Sequence, residues 1–78
     1  MPMDQFNGRA IQIISIDDAV EHVVEFRDQD RYGNDSILAI ATPHDGTWED
    51  AVVSVNPNVE EVSVAFTLWA IEKARSLS

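Results

Sequence analysis

The sequence predicts a small single-domain α+β protein. It should hold a mixed or antiparallel sheet of three to four strands, packed against one or two helices and ending in a long helix over 58–77. Three observations lead there. The 58–77 stretch contains no Gly or Pro and repeats its apolar residues at helical spacing. The stretches 10–16 and 36–42 are apolar runs of strand length. Turn residues punctuate the chain between them, at Asn7-Gly8, Gly33, Pro43 to Gly46 and Pro57. At 78 residues with 45% hydrophobic content, one core is all the chain can build.

Residues 1–8 read as a loose arm ending in Asn7-Gly8. That pair accepts positive φ at both positions, so a short strand over 3–6 can fold back onto the next. Residues 10–16 carry Ile11, Ile13, Ile14 and Ile16, the composition of a strand covered on both faces. Residues 17–30 support two readings. As a helix, Asp17 caps the start, Asp18 and Glu21 sit near the positive end, and Ala19, Val20, Val23, Val24 and Phe26 share a side. As a strand, Val20, His22, Val24 and Phe26 alternate against Glu21, Val23, Glu25 and Arg27. The acidic start favours the helix and the order β-α-β-β-α. The alternative is a β-meander followed by one C-terminal helix.

Tyr32-Gly33-Asn34-Asp35 is a turn, and 36–42 (Ile37, Leu38, Ala39, Ile40, Ala41) reads as a central strand buried on both faces. A second turn over 43–47 leads into a strand over 48–55, with Ala51, Val53 and Val55 on one face and Val52 and Ser54 on the other. The final helix then starts at Asn58, whose spacing to Glu61 fits a capping box. Val59, Val62, Ala65, Phe66, Trp69, Ala70, Ala74 and Leu77 form its broad apolar face. Val64, Leu68 and Ile71 form a second, narrower stripe and are the expected contact for a homodimer or an assembly.

Charge is the strongest global feature. Fourteen acidic residues face five basic ones, a formal net charge of −9. No basic residue lies between Arg31 and Lys73. Such a protein repels nucleic acid and anionic membrane and is steered toward basic surfaces. It contains no Cys, which removes disulfides and thiolate chemistry and fits a cytoplasmic setting. No signal-peptide pattern opens the sequence, and Glu60, Glu61, Ser63 and Thr67 interrupt the one stretch that approaches a membrane span.

Catalytic signals are sparse. The serines lack a Gly-x-Ser-x-Gly context, the three glycines stand apart, and His22 and His44 are the only imidazoles. His44, Asp45, Glu49 and Asp50 are the one grouping with metal-ligand chemistry, but a polar turn has the same spelling. No cofactor or metal is expected. With 17–30 helical, Asp17, Glu21, Glu25 and Asp28 would line one edge, with neighbours about 5–6 Å apart at Cβ, like a row of phosphates. Trp48, Glu49 and Asp50 make a second patch, an aromatic anchor beside acidic residues.

The expected function is therefore that of a small, acidic, non-enzymatic binding protein. It would occupy a basic, nucleic-acid-binding surface of a larger protein and so inhibit it. In small size, acidity and lack of catalytic groups the chain resembles phage-encoded inhibitors of bacterial defence such as anti-CRISPR proteins, although it shares no motif with them. The alternatives are a homo-oligomeric assembly subunit and, third, a small hydrolase or metal enzyme built around the 44–50 loop.

Overall fold

In the computed structural model, which describes residues 3–33 and 35–77, the chain turns first at Asn7-Gly8. Asn7 has φ 51° and Gly8 φ 78°, the left-handed values a two-residue hairpin demands. They fold Met3–Phe6 (β1) onto Arg9–Asp17 (β2), as expected. Glu21–Arg27 (β3), Ser36–Pro43 (β4) and Val52–Val55 (β5) follow, each antiparallel to the strand before it. The sheet order is β1-β2-β3-β4-β5. One turn of helix, Gln29–Tyr32 (α1), links β3 to β4, a 3₁₀ turn at Trp48–Asp50 precedes β5, and Val64–Leu77 (α2) ends the chain.

The fold is thus α+β, but it is the meander with one long helix. The sheet has five strands, where three to four were expected, and the order β-α-β-β-α does not form. The cause is local. The Asp18 carboxylate accepts from the Val20 and Glu21 amides, both at 2.8 Å. That Asx turn uses the donors a helix N-cap would use, but it reverses the chain into a hairpin. Residues 21–27 then alternate across the sheet, with Val24 and Phe26 buried and Val23 on the other face.

Pairing sets the two faces of the sheet. Opposed residues point the same way, so Ile13, Phe26 and Leu38 share a face, as do Val24 and Ile40. This face is the core side. Phe26 packs edge-on against Trp69 at 5.9 Å and Phe66 at 6.4 Å, and Phe6 stacks near both. Ala70 and Ala74 are buried on α2, where their small size lets the helix sit close to the strands. Between Phe26 and Arg27 the register shifts, and the extra residue, Ile37, is buried.

The opposite face is uncovered. It carries Ile14, Ile16, Val23, Ala39, Ala41 and Val52, half-buried or exposed. The expectation that 10–16 and 36–42 are covered on both sides is therefore corrected, because α2 lies on the core side. α2 also starts later than expected. Asn58 and Glu61 form no capping box. The Asn56 side chain instead accepts from the Asn58 amide at 2.9 Å, and buried Val59 anchors the loop. Ser63 caps the helix, accepting from the Phe66 amide at 3.0 Å.

Candidate functional site

With residues 21–27 extended, the carboxylates expected along one helix edge are dispersed. Asp17 ends β2 on the core side, and Glu21 and Glu25 lie on the open face of β3. Glu25 accepts from Arg27 Nη2 at 3.3 Å. Asp28 is only 3% exposed. It accepts from Arg9 Nε at 2.5 Å and Arg9 Nη2 at 3.1 Å, and from the Arg31 amide at 3.3 Å as the N-cap of α1. The Arg9 guanidinium holds this carboxyl below the ordinary carboxylate range, against the opposing effect of burial. The phosphate-like row does not form, and Asp28 serves the fold.

The second patch is only partly a surface. Trp48 is half-buried against the core, while Glu49 and Asp50 are exposed. Asp50 completes a capping box by accepting from the Thr47 amide at 2.9 Å. On α2, Val64 is 74% and Leu68 58% exposed, whereas Ile71 packs partly against the core. Two of the three stripe residues therefore face outward.

His44 does not join Glu49 and Asp50. Its Nε2–H points at two acceptors, the Asp18 carbonyl at 2.8 Å and Asp17 Oδ1 at 2.9 Å. Sequence reading missed the resulting cluster. Asp17, His22 and Thr42 stand directly opposite one another across β2, β3 and β4. His22 Nε2 shares a hydrogen bond with Ser15 Oγ at 3.0 Å, and His22 Nδ1 lies 3.6 Å from Asp17 Oδ1. A cavity of about 350 Å³ opens there, lined by Asp17, His22, Thr42, Pro43, His44 and Leu77. The signal in the sequence was period two in both strands, which places 15, 17 and 22 on one face once the hairpin is known.

The cluster holds a hydroxyl, an imidazole and a carboxylate, the groups of a nucleophilic triad. Two features limit it. Asp17 is held by His44 and lies beyond hydrogen-bond reach of His22. The nearby Asp18, Val20, Glu21 and His44 amides are all engaged in turn hydrogen bonds and do not offer a pair of donors to an oxyanion. The clear effect of the cluster is to lace the β2–β3 turn to the end of β4. Among the described residues no group of three His, Cys, Asp or Glu side chains is arranged to hold a metal. A second cavity, of about 250 Å³, opens beside Arg9, Asp28, Tyr32 and Phe66, where Arg9 is already committed to Asp28.

Ion pairing sharpens the charge imbalance. Arg9 is paired with Asp28, Arg27 with Glu25 and Lys73 with Asp4. Among the described residues, at least three of the five basic side chains thus spend their charge on a carboxylate of the same chain. Asp30, Asp35, Asp45, Glu49, Asp50, Glu60, Glu61 and Glu72 remain exposed. No helix among the described residues is long and apolar enough to cross a membrane.

No protein-family model matches the chain, no curated protein matches its sequence, and no solved structure matches its fold.

Proposed function

We propose that the protein is a small, acidic, non-enzymatic binding protein that occupies a basic surface of a larger protein and blocks what that surface normally does. One observation carries the reading: the formal net charge of −9 is carried largely by exposed carboxylates, while at least three of the five cations are tied up internally. Such a field steers a cationic partner over about a Debye length, roughly 10 Å at 0.1 M salt, and repels nucleic acid. With the helix-edge row gone, the reading rests on net charge and not on phosphate spacing. An anti-defence inhibitor is one role that fits this chemistry. The test is a pull-down from a cell lysate at low and high salt with wild type and Glu49→Lys/Asp50→Lys. Retention of a basic protein at low salt, weakened in the variant and lost at high salt, supports the proposal. A retained set no more basic than that held by a neutral control protein overturns it.

A second reading is favoured by the exposure of Val64 and Leu68. Here α2 forms a homodimer contact through Val64, Leu68 and Ile71.

A further inference from the structure

β5 is an edge strand of an unusual kind. It pairs with β4 alone, and all four of its residues, Val52–Val55, are exposed. The phase of its hydrogen bonds follows from one contact. The Asn56 amide donates to the Ile37 carbonyl at 3.1 Å, and this pair continues the register of Leu38 with Val55. In an antiparallel ladder, hydrogen-bonded residues alternate with outward-facing ones. Asn56, Ser54 and Val52 therefore turn their backbone groups toward β4. Val53 and Val55 turn theirs toward the free edge, and their side chains, 41% and 48% exposed, stand on the core side.

Proteins usually blunt such an edge with a charge, a proline or a bulge. β1, the other edge, carries Asp4, which is paired with Lys73. β5 carries none of these devices. Instead charge stands just before it, with Asp45, Glu49 and Asp50 exposed, whereas beyond it the chain turns at Asn56–Val59 and carries the exposed Glu60 and Glu61 toward the cavity beside Arg9 and Asp28, which Glu61 lines. No basic residue interrupts that stretch of sequence.

We infer that the free edge of β5 is a docking rail for an extended segment of a partner protein, apolar at its centre and flanked by lysine or arginine. The outward amides and carbonyls of Val53 and Val55 supply the ladder. The valine side chains supply apolar contact, and the net acidity, with Glu49 and Asp50 nearest the strand, supplies steering. A second copy fits poorly. Each copy carries a formal charge of −9, so two copies repel on approach.

This mode of capture rests on the basic-partner reading, and one experiment separates the two. The probe is a fluorescent peptide of alternating valine and threonine with two lysines at each end. Controls are the same peptide with glutamates at the ends, and poly-lysine. Binding is followed by anisotropy, and by amide shifts in wild type. The variants are Val53→Pro and Val55→Pro. Each removes an outward N–H and places a ring on the edge while keeping the bonds to β4, a position where proline is tolerated.

The lysine-flanked peptide is expected to bind wild type and shift the amides of Val52–Val55. Either variant is expected to weaken it by roughly tenfold or more, and the glutamate peptide is not expected to bind. Shifts confined to other residues overturn the inference, whether or not the variants fold. So does equal binding to a folded proline variant, which would leave only a diffuse acidic surface. Self-association that Val53→Pro abolishes would assign the edge to a second copy and overturn it as well. If poly-lysine also fails to bind, the basic-partner reading falls with it.

Discussion

Asp28→Ala gives the most direct measure of how this small domain is held together. Asp28 is nearly sealed from solvent, and it ties β2 to the start of α1 through Arg9 and the Arg31 amide. Loss of the cap costs about 1 kcal/mol. Loss of the charge-assisted bonds to Arg9 would add about 1.5–3 kcal/mol in a buried setting. Because the Arg9 side chain is 47% exposed, it rehydrates when its partner is removed, so the second figure is discounted. The expected sum is about 2 kcal/mol, a fall in Tm of roughly 8–16 °C for a domain of this size.

The pH dependence has a definite sign. The folded carboxyl titrates below its unfolded value of 3.8, so its contribution is complete above about pH 5 and is lost as pH falls through the folded value. Asp28→Asn removes this part of the acid limb and leaves that of Asp4 and Asp18, which are also lowered. Urea denaturation from about pH 3 to 7, followed by circular dichroism, measures both effects. A cost under about 0.5 kcal/mol for Asp28→Ala, or parallel pH profiles for wild type and Asp28→Asn, would mean that Asp28 does not tie β2 to α1.

Three further outcomes are expected. Phe26→Ala removes the fully buried centre of the aromatic cluster and should cost about 3–5 kcal/mol, comparable to the whole stability of a small domain, with collapse of the near-UV tryptophan signal. Ser63→Ala should cost about 1 kcal/mol through the cap of α2, and a larger loss of helical signal from Asn58→Ala would instead place the helix start at 58. Leu68→Asp should leave the fold intact because Leu68 points outward. Light scattering at high micromolar concentration then decides the homodimer: a wild-type dimer converted to monomer supports the α2 contact, and a wild-type monomer removes it.

Much of the fold was legible where chemistry acts over a few residues. Asn7-Gly8 specifies its turn through backbone freedom alone, and the apolar runs at 10–16 and 36–42 are strands. The failures occur where two structures use the same local chemistry. A carboxylate accepting from amides two and three residues on is an N-cap in a helix and an Asx turn in a hairpin. After Asp18 the valines do not separate them, because Val20, Val23 and Val24 also stand at helical spacing, and only their β-branching favours the strand. At Asn58 the apparent capping box lost to Asn56, whose side chain accepts from the Asn58 amide, and to buried Val59. Residues distant in sequence escaped altogether. Asp28 meets Arg9 nineteen positions away, and His44 meets Asp18 across twenty-six. Neither separation leaves a periodic trace.

The uncovered surfaces share one geometric origin. Five strands about 4.8 Å apart span roughly 19 Å, while a helix is roughly 10 Å across. α2 packs its rings against Phe6 on β1 and Phe26 on β3 and pairs Lys73 with Asp4 on β1. Val53 and Val55 on β5 consequently stay exposed although they lie on the core side. A second helix would cover them, and the sequence spends those residues on β3 instead. What remains is an apolar edge that would stick to its own copies if the molecule were neutral. A charge of −9 opposes that encounter and leaves the edge open to a cation-flanked strand. On the proposed reading, acidity and the bare edge are two halves of one device: the first would select the partner, and the second would hold it.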